Sequence, residues 1–408
     1  MGIKKKQVTV IGLGYVGLPL ALLFAKKGYD VIGIDTDDEK VTSLQNAISY
    51  IPDVSTSELT TTTTFQAVVP YKGIGALKES EYIIVTVPTP IINEDEPDLR
   101  ALIAASHYIK KHLQPGQTVI YESSTYPGTL EEVVMPILAQ GRFTVGVDFH
   151  LSYSPERIDP ANKQFNIEVI PKVVSGQTVH CLEKVVHFYG SVFQKVVPVS
   201  SPKIAEMCKL FENIQRLVNI SLVNETSILC KKMNIDFYEV LKAAETKPFG
   251  FTAYWPGPGI GGHCIPVDPI YFLWKLKQHG LTSELIEVAH SINKQMPHEI
   301  VDEVKAKIIK GKVLVIGLTY KKDVNDIRES PAIEICEQLI HEGYFLTYHD
   351  PLVNYAKLNN KTYHSVDLTE EVIKQHDLVL ILTDHTSVDW DLVKLSPVTI
   401  DPRNVLKQ

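Results

Sequence analysis

Gly12-Leu13-Gly14-Tyr15-Val16-Gly17 follows the short β-branched run Val8-Thr9-Val10-Ile11 and opens the apolar stretch Gly17 to Lys27. This order, buried strand then glycine turn then helix, restricts the fold more than any other part of the chain. The first glycine of such a turn permits the sharp bend. The second lets a ligand's pyrophosphate approach the backbone, and the third lets the helix pack on the sheet. A second strand, Val31 to Ile34, ends in Asp35, where a ribose-binding carboxylate belongs. Thr36, Asp37 and Asp38 follow and no arginine does, so negative charge there repels a 2'-phosphate and favours NAD over NADP. The competing reading is that these glycines serve a turn alone.

Further short apolar runs, Tyr82 to Val87 and Thr118 to Tyr121, alternate with helical stretches and predict a parallel sheet covered by helices on both faces. The threonine run Thr60 to Thr64 reads as a loop or edge strand. From Pro202 to Met233 apolar residues recur at helical spacing, among them Ile204, Phe211, Ile214, Leu217 and Leu222. A helix of that length bridges domains or forms a dimer interface. Helical pattern continues to about Lys294, broken by a loop from Lys247 to Asp268 rich in proline and glycine. Strand pattern returns at Lys312 to Leu318, Tyr344 to Tyr348 and Asp377 to Leu382. Val315-Ile316-Gly317 echoes Val10-Ile11-Gly12, but no second glycine fingerprint follows. The expected fold is α/β, with two Rossmann-like doubly wound domains joined by a long helix and an all-helical middle region. The expected domains are 1–198, 199–300 and 301–408.

At 408 residues the chain is long enough for two or three domains. Its net charge of -8 argues against a nucleic-acid partner. Lys4-Lys5-Lys6 reads as a solubilising start to the first strand. Five scattered cysteines without a CxxC pair argue against a disulfide framework or a zinc site, so no metal is expected and a reducing cytoplasm is. Val8 to Ala25 has the length of a membrane span, but its glycines and Pro19 fall where strand turns into helix, so no membrane segment is expected.

Gly259-Ile260-Gly261-Gly262-His263-Cys264-Ile265-Pro266-Val267-Asp268 delivers one cysteine in a loop, with a carboxylate four residues on. Cys264 reads equally as a nucleophile or as a small packed residue. A thiol beside a redox cofactor can capture an aldehyde, and loss of a second hydride then leaves a thioester. Asp268 reads as a helix cap or as a catalytic carboxylate. Lys209, Asn213 and Arg216 share one helix face, which is either solvated or a buried polar stripe able to stabilise an oxyanion. Ser124-Thr125-Tyr126-Pro127-Gly128-Thr129 follows a strand, and its hydroxyls cap the next helix or hold a water. Ser154-Pro155-Glu156-Arg157 places a carboxylate in another loop.

Taken in order, these blocks resemble the UDP-glucose/GDP-mannose dehydrogenase family over essentially the whole chain. Thr86-Val87-Pro88-Thr89-Pro90, Glu122-Ser123-Ser124-Thr125 and Tyr320-Lys321-Lys322-Asp323 through Arg328-Glu329-Ser330 complete the set. The resemblance implies oxidation of a sugar C6 alcohol to a carboxylate with two NAD per turnover. It implies that Cys264 holds the aldehyde and then the thioester. Lys209 and Asn213 stabilise the oxyanion, Asp268 activates water or supports Lys209, Glu156 serves thioester hydrolysis and Thr125 positions water. Cofactor contacts are implied at Gly12, Gly14, Tyr15, Val16, Gly17, Asp35, Lys40, Thr89, Thr125 and Arg328. Substrate contacts are implied at Glu156, Arg157, Lys209, Asn213, Arg216, Phe249, Gly261 and Lys321. Lys247 stands near where the family has an arginine from a neighbouring subunit.

His263 in place of serine, Ile265-Pro266-Val267-Asp268, Phe249-Gly250-Phe251 and Trp255-Pro256-Gly257-Pro258-Gly259 are similar to the N-acetylhexosamine branch. Within it UDP-N-acetylglucosamine comes first, with the galactosamine and mannosamine sugars as runners-up. A cytoplasmic homodimer serving surface-polysaccharide synthesis is implied. UDP-glucose oxidation, a hydroxyacid dehydrogenase and a sugar-nucleotide sensor are the alternatives. The hydroxyacid enzyme has no need of Cys264 or the last domain, and a sensor has no need of the intact Cys264, Lys209, Asn213 and Asp268 set.

Overall fold

The computed structural model describes residues 6–51, 54–93, 95–141, 143–158, 165–262 and 264–407. Lys4, Lys5 and His263 lie outside them. Packing divides the chain into two compact units, Met1–Glu212 with Ile270–Gly280, and Asn213–Pro269 with Leu281–Gln408.

The first unit is built on eight strands: β1 (Gln7–Ile11), β2 (Asp30–Ile34), β3 (Phe65–Val68), β4 (Tyr82–Val85), β5 (Thr118–Tyr121), β6 (His150–Tyr153), β7 (Lys172–Gly176) and β8 (Val196–Pro198). β1 to β6 are parallel in the order 3-2-1-4-5-6, the dinucleotide-binding arrangement expected from the glycine turn. β7 then runs antiparallel to β6, with β8 parallel to β7. Both faces are covered, so inward positions alternate between two cores. Val8, Val10, Tyr82 and Ile84 face one core, and Ile11, Ile83, Val85 and Tyr121 face the other. Tyr82 and Phe24 stack on opposite sides of Phe188, at 3.8 and 4.7 Å between ring centroids.

Register is what positions function. Ile11 pairs with Ile34 and Val85, Val85 with Tyr121, and Tyr121 with Tyr153. The residues that follow these strand ends therefore fall on one edge of the sheet. Gly12, Asp35, Thr86, Glu122 and Ser154 all stand there.

The threonine run departs from expectation at its start, while Thr62 to Thr64 form the expected loop. Thr60 and Thr61 close a helix, Thr56–Thr61, started by Ser55 accepting the Glu58 N–H at 3.1 Å. The hydroxyls of Thr60, Thr61 and Thr62 donate to the carbonyls of Thr56, Ser57 and Glu58, four residues back. That back-bonding satisfies the side chains within a helix despite their β-branching.

Helix α1 (Gly17–Lys26) follows the glycine turn, and α2 (Pro202–Lys232) is the long helix read from the sequence. The division between units falls within α2. The second unit continues with Phe237–Glu245, and helices α3 (Asp268–Gln278) and α4 (Glu284–Lys307) lie further along the chain. Residues 270–280, most of α3 and the two residues after it, belong to the first unit. The second unit carries a sheet of four parallel strands, β9 (Lys312–Ile316), β10 (Phe345–His349), β11 (Leu378–Ile381) and β12 (Thr399–Ile400), in the order 10-9-11-12.

This second sheet repeats the first in detail. Gly12 N–H donates to Ile34 O at 2.8 Å, and Gly317 N–H to His349 O at 2.9 Å. Leu13 N–H donates to Asp35 at 2.8 Å, and Leu318 N–H to Asp350 at 2.7 Å. The last two carboxylates differ in their surroundings. Asp350 is buried, accepts from Leu352 and Val353 N–H, and meets His385 at 3.3 Å. Asp323 N–H donates to His385 Nδ1, so the proton of the neutral ring sits on Nε2 and points to Asp350 and Thr319. Asp350 thus holds its own domain together.

Candidate active site

In the first unit the glycine turn is explained atom by atom. Gly12 has φ +95°, and a Cβ there would meet the Thr86 carbonyl oxygen at 2.9 Å. At Gly17 a Cβ would fall 1.8 Å from the Gly12 carbonyl oxygen. Gly14 is different, because nothing in the protein lies within 4 Å of the place its Cβ would take. The protein does not need that glycine for its own packing, and a ligand approaching the backbone does. No side chain caps the N-terminus of α1, so its positive end is available for a pyrophosphate. Asp35 Oδ2 accepts from Leu13 N–H and Oδ1 from Asp37 N–H at 3.0 Å. A carboxylate offers about four acceptor positions, which leaves capacity for ribose hydroxyls. Lys40 sits near Asp37 at 3.6 Å, and the Tyr50 hydroxyl donates to Leu13 O at 2.5 Å. Turn, helix end and carboxylate together fit an NAD pyrophosphate and adenosine ribose.

Around the same sheet edge lies a buried ionic cluster. Lys172 Nζ reaches Glu122 Oε2 at 2.5 Å, and Tyr189 donates its hydroxyl to Glu122 Oε1. Burial pushes the Tyr189 phenol upward, helped by the Glu122 charge. Glu156 is buried, and desolvation raises its carboxyl while the Lys209 and Lys172 ammoniums oppose the shift. Its carboxyl also accepts the Ile158 N–H. Glu122, Glu156 and Lys172 line one cavity with Arg157. Arg157 pairs with Glu212, Nη2 to Oε1 at 2.7 Å, and donates to Pro171 O at 2.9 Å. Thr89 donates its hydroxyl to Ser124 O at 2.7 Å.

Thr125 is buried, with its hydroxyl 3.4 Å from Glu206. Hydroxyls of this loop do not cap the helical turn that begins at Leu130, since Thr129 donates to Tyr126 O instead. The cap comes from Glu206, which accepts from Leu130 N–H at 2.9 Å and Gly128 N–H at 2.6 Å. Lys172 and Glu206 were missed in the sequence reading. A lysine opening a strand and a glutamate on a long helix carry no local signal, because their partners lie tens of residues away.

In the second unit Asn213 and Asp268 are both buried, and Asn213 Nδ2 donates to Asp268 Oδ2 at 2.6 Å. Asp268 N–H donates to the Cys264 carbonyl at 2.9 Å. Cys264 and Asp268 therefore bound one turn that leads into α3, with Cys264 exposed on it. None of the five cysteines is in a disulfide. Two buried asparagines pin the loop before this turn: Asn224 Oδ1 accepts from Gly257 N–H at 3.0 Å, and Asn293 Oδ1 from Ile260 N–H at 2.8 Å.

The glycines of this loop answer to the protein itself. A Cβ on Gly261 would fall 2.5 Å from the Glu329 carbonyl oxygen, and one on Gly262 would fall 2.7 Å from the Tyr320 ring. Lys321 follows that tyrosine, and Arg328 is bidentate to Asp326 at 2.7 and 2.9 Å. Of the helix face shared by Lys209, Asn213 and Arg216, the first two are buried and Arg216 is exposed. Lys247 and Phe249 are exposed too, with the ammonium 5.2 Å from the Phe249 ring centroid. Among the described residues no cluster of histidine, cysteine and carboxylate could hold a metal, and no helix is long and apolar enough to cross a membrane.

Comparison with known proteins identifies the family. Three domain descriptions of the UDP-glucose/GDP-mannose dehydrogenase family match in succession: the NAD binding domain at residues 6–193, the central domain at 203–295 and the UDP binding domain at 314–408. Protein CapL of Staphylococcus aureus is 39% identical, covering 93% of this chain and 90% of its own. The UDP-N-acetyl-D-glucosamine 6-dehydrogenase of Salmonella typhi is 35% identical, covering 94% and 91%. The solved structure of the UDP-D-ManNAc dehydrogenase of Pyrococcus horikoshii superposes with a TM-score of 0.86 at 30% identity, covering 98% and 96%. Fold and site define an NAD-dependent dehydrogenase of nucleotide sugars. The chain belongs to the UDP-glucose/GDP-mannose dehydrogenase family.

Proposed function

We propose that this enzyme oxidises the C6 alcohol of a UDP-N-acetylhexosamine, UDP-N-acetylglucosamine first, to the uronate. The observation that carries the chemistry is the Cys264–Asp268 turn, which exposes one cysteine while its carboxylate is buried and bonded to Asn213. The balanced reaction removes two hydrides and three protons from the alcohol and one water. NAD, when bound, supplies the hydride acceptor. Gly12, Gly14, Tyr15, Val16 and Gly17 hold its pyrophosphate, Asp35 and Lys40 its adenosine ribose, and Thr89, Thr125 and Arg328 make the remaining contacts.

The Cys264 thiolate adds to the C6 aldehyde carbon, forming a C–S bond as the carbonyl π pair moves to oxygen. The Lys209 ammonium and the Asn213 amide carry that oxyanion. After the second oxidation water cleaves the thioester, releasing carboxylate and thiol, with Glu156 and Asp268 taking its proton and Thr125 orienting it. Arg157, Arg216, Lys247, Phe249, Gly261 and Lys321 contact the nucleotide sugar with Glu156, Lys209 and Asn213. Segments 1–198, 199–300 and 301–408 bind NAD, carry the cysteine and bind UDP, respectively.

Similarity to the Salmonella typhi glucosamine enzyme supports this sugar. A second reading, UDP-N-acetylmannosamine, is supported by likeness to the Pyrococcus horikoshii structure. We place the enzyme in the cytoplasm as a homodimer, serving surface-polysaccharide synthesis. Ile204, Phe211, Leu222 and Leu229 are exposed on α2. At about 100° per residue they form one apolar stripe, which supports the dimer. Monomeric mass by light scattering at micromolar concentration would sink it. The substrate test is NADH release from UDP-glucose and the three UDP-N-acetylhexosamines. Two NADH per UDP-N-acetylglucosamine is expected; best turnover of UDP-glucose, or one NADH per sugar, overturns the reading.

A further inference from the structure

Glu206 is a carboxylate with no solvent exposure, reached by no step of the reaction described above. It lies on α2 one helical turn before Lys209. Its two oxygens gather a loop that precedes it by some eighty residues: Gly128 N–H on Oε2, with Leu130 N–H and the Thr125 hydroxyl on Oε1. Gly128 has φ +104°, and a Cβ on it would strike Glu132 Oε1 at 2.5 Å. The positive φ at Gly128 marks a glycine-dependent turn, and Glu206 supplies the acceptors for its N–H groups.

We infer that Glu206 is the positioning residue for Thr125, tying the water-orienting hydroxyl to the helix that carries Lys209. This rests on the role proposed above for Thr125. The physical reason is the direction of one hydrogen bond. An ionised carboxylate only accepts, so Thr125 must donate its proton to Glu206 and turn a lone pair outward. A protonated Glu206 can donate to Thr125 Oγ1, and the threonine proton then turns outward instead. The two states present opposite hydrogen-bond character to a water beside Thr125.

Several charges face Glu206. Glu131 repels the ionised form, and Lys203 is paired with Glu131 at 2.7 Å. Glu132 is paired with Lys275 at 2.6 Å. Burial outweighs the two backbone donors and pushes the carboxyl up to about 8. The direction of the Thr125 hydroxyl then changes within the working range of an enzyme.

The test is a double-mutant cycle of Glu206→Gln and Thr125→Val, reading kcat, KM and the pH profile of each with saturating NAD. Glu206→Gln is expected to lower kcat about tenfold, the size of one hydrogen bond, with KM for the nucleotide sugar unchanged. It is also expected to remove an ionisation from the kcat profile, and to cost nothing further in the Thr125→Val background. A wild-type profile in Glu206→Gln, or an additive loss in the double variant, overturns the inference while leaving the Thr125 role intact. Full activity of Thr125→Val overturns both. If Glu206→Gln does not fold, wild type against Thr125→Val decides. Loss of the ionisation with the hydroxyl supports the inference, and a shared profile overturns it.

Discussion

Asn213 gives its side-chain amide to Asp268 at 2.6 Å, across 55 residues of chain and with both groups buried. The bond sets which way the amide faces, and it ties α2 to the turn that begins at Cys264. Asp268→Asn keeps the shape of the side chain but removes its charge. We expect kcat to fall at least tenfold, with thermal stability within about 1 kcal/mol of wild type because the site remains hydrogen-bonded. Equal loss of activity and stability in melting curves would assign Asp268 to structure alone.

Replacing Cys264 with serine tests the nucleophile. A hydroxyl at neutral pH is a far weaker nucleophile than a thiolate. NAD and nucleotide-sugar binding should survive, while steady-state NADH production drops on the order of a thousandfold. Intact-protein mass spectrometry should find no thioester. Two NADH per sugar at a near-normal rate would return Cys264 to a packing role.

Cofactor choice should follow Asp35. Its carboxylate repels a 2'-phosphate and has acceptor capacity left for ribose hydroxyls. Asp35→Ser should weaken NAD by about tenfold to a hundredfold and narrow the preference over NADP. Equal use of both cofactors by the unaltered enzyme would contradict the assignment.

Lys172 should matter more to folding than its position suggests. Lys172→Met leaves Glu122 buried without its cation, at a cost of about 3–5 kcal/mol in urea unfolding. Adding Glu122→Gln should recover much of that loss, because neither charge then remains. A single variant as stable as wild type would show that the pair is replaced by water or by Tyr189.

Glu206 gives stability a sign with pH. An unfolded glutamate ionises near pH 4.5, whereas the folded carboxyl is held up to about 8. The folded state therefore keeps a proton that the unfolded state has lost, and stability falls as pH rises between those values. Glu206→Gln should flatten that part of the profile in calorimetry. An unchanged slope would mean that other groups carry it.

Much of the fold was legible locally. Val8 to Ile11, Gly12 to Gly17 and Asp35 announce a strand, a turn and a second strand end, because glycine spacing and β-branched runs act over a few residues. The threonine run misled for the same local reason: its strand propensity was outweighed by hydroxyls bonding back along a helix. Arg216 shows a different limit. Helical spacing placed it with Lys209 and Asn213 but left open whether that face is buried or solvated, and the structure buries the first two and exposes Arg216.

The order of motifs along the sequence by itself determined the two doubly wound sheets, the dinucleotide turn, the long helix and the loop carrying Cys264. These follow from periodicity, glycine stereochemistry and charge, which need no partner. Only the tertiary structure decided what those residues touch. It showed that Gly261 and Gly262 answer to Glu329 and Tyr320, and that Asp350 repeats Asp35 but is sealed by His385. It showed too that Glu206 gathers the Thr125–Leu130 loop and that Lys172 pairs with Glu122. Each is a long-range contact, and the energy of a buried charge depends on partners that only folding brings within a few ångströms.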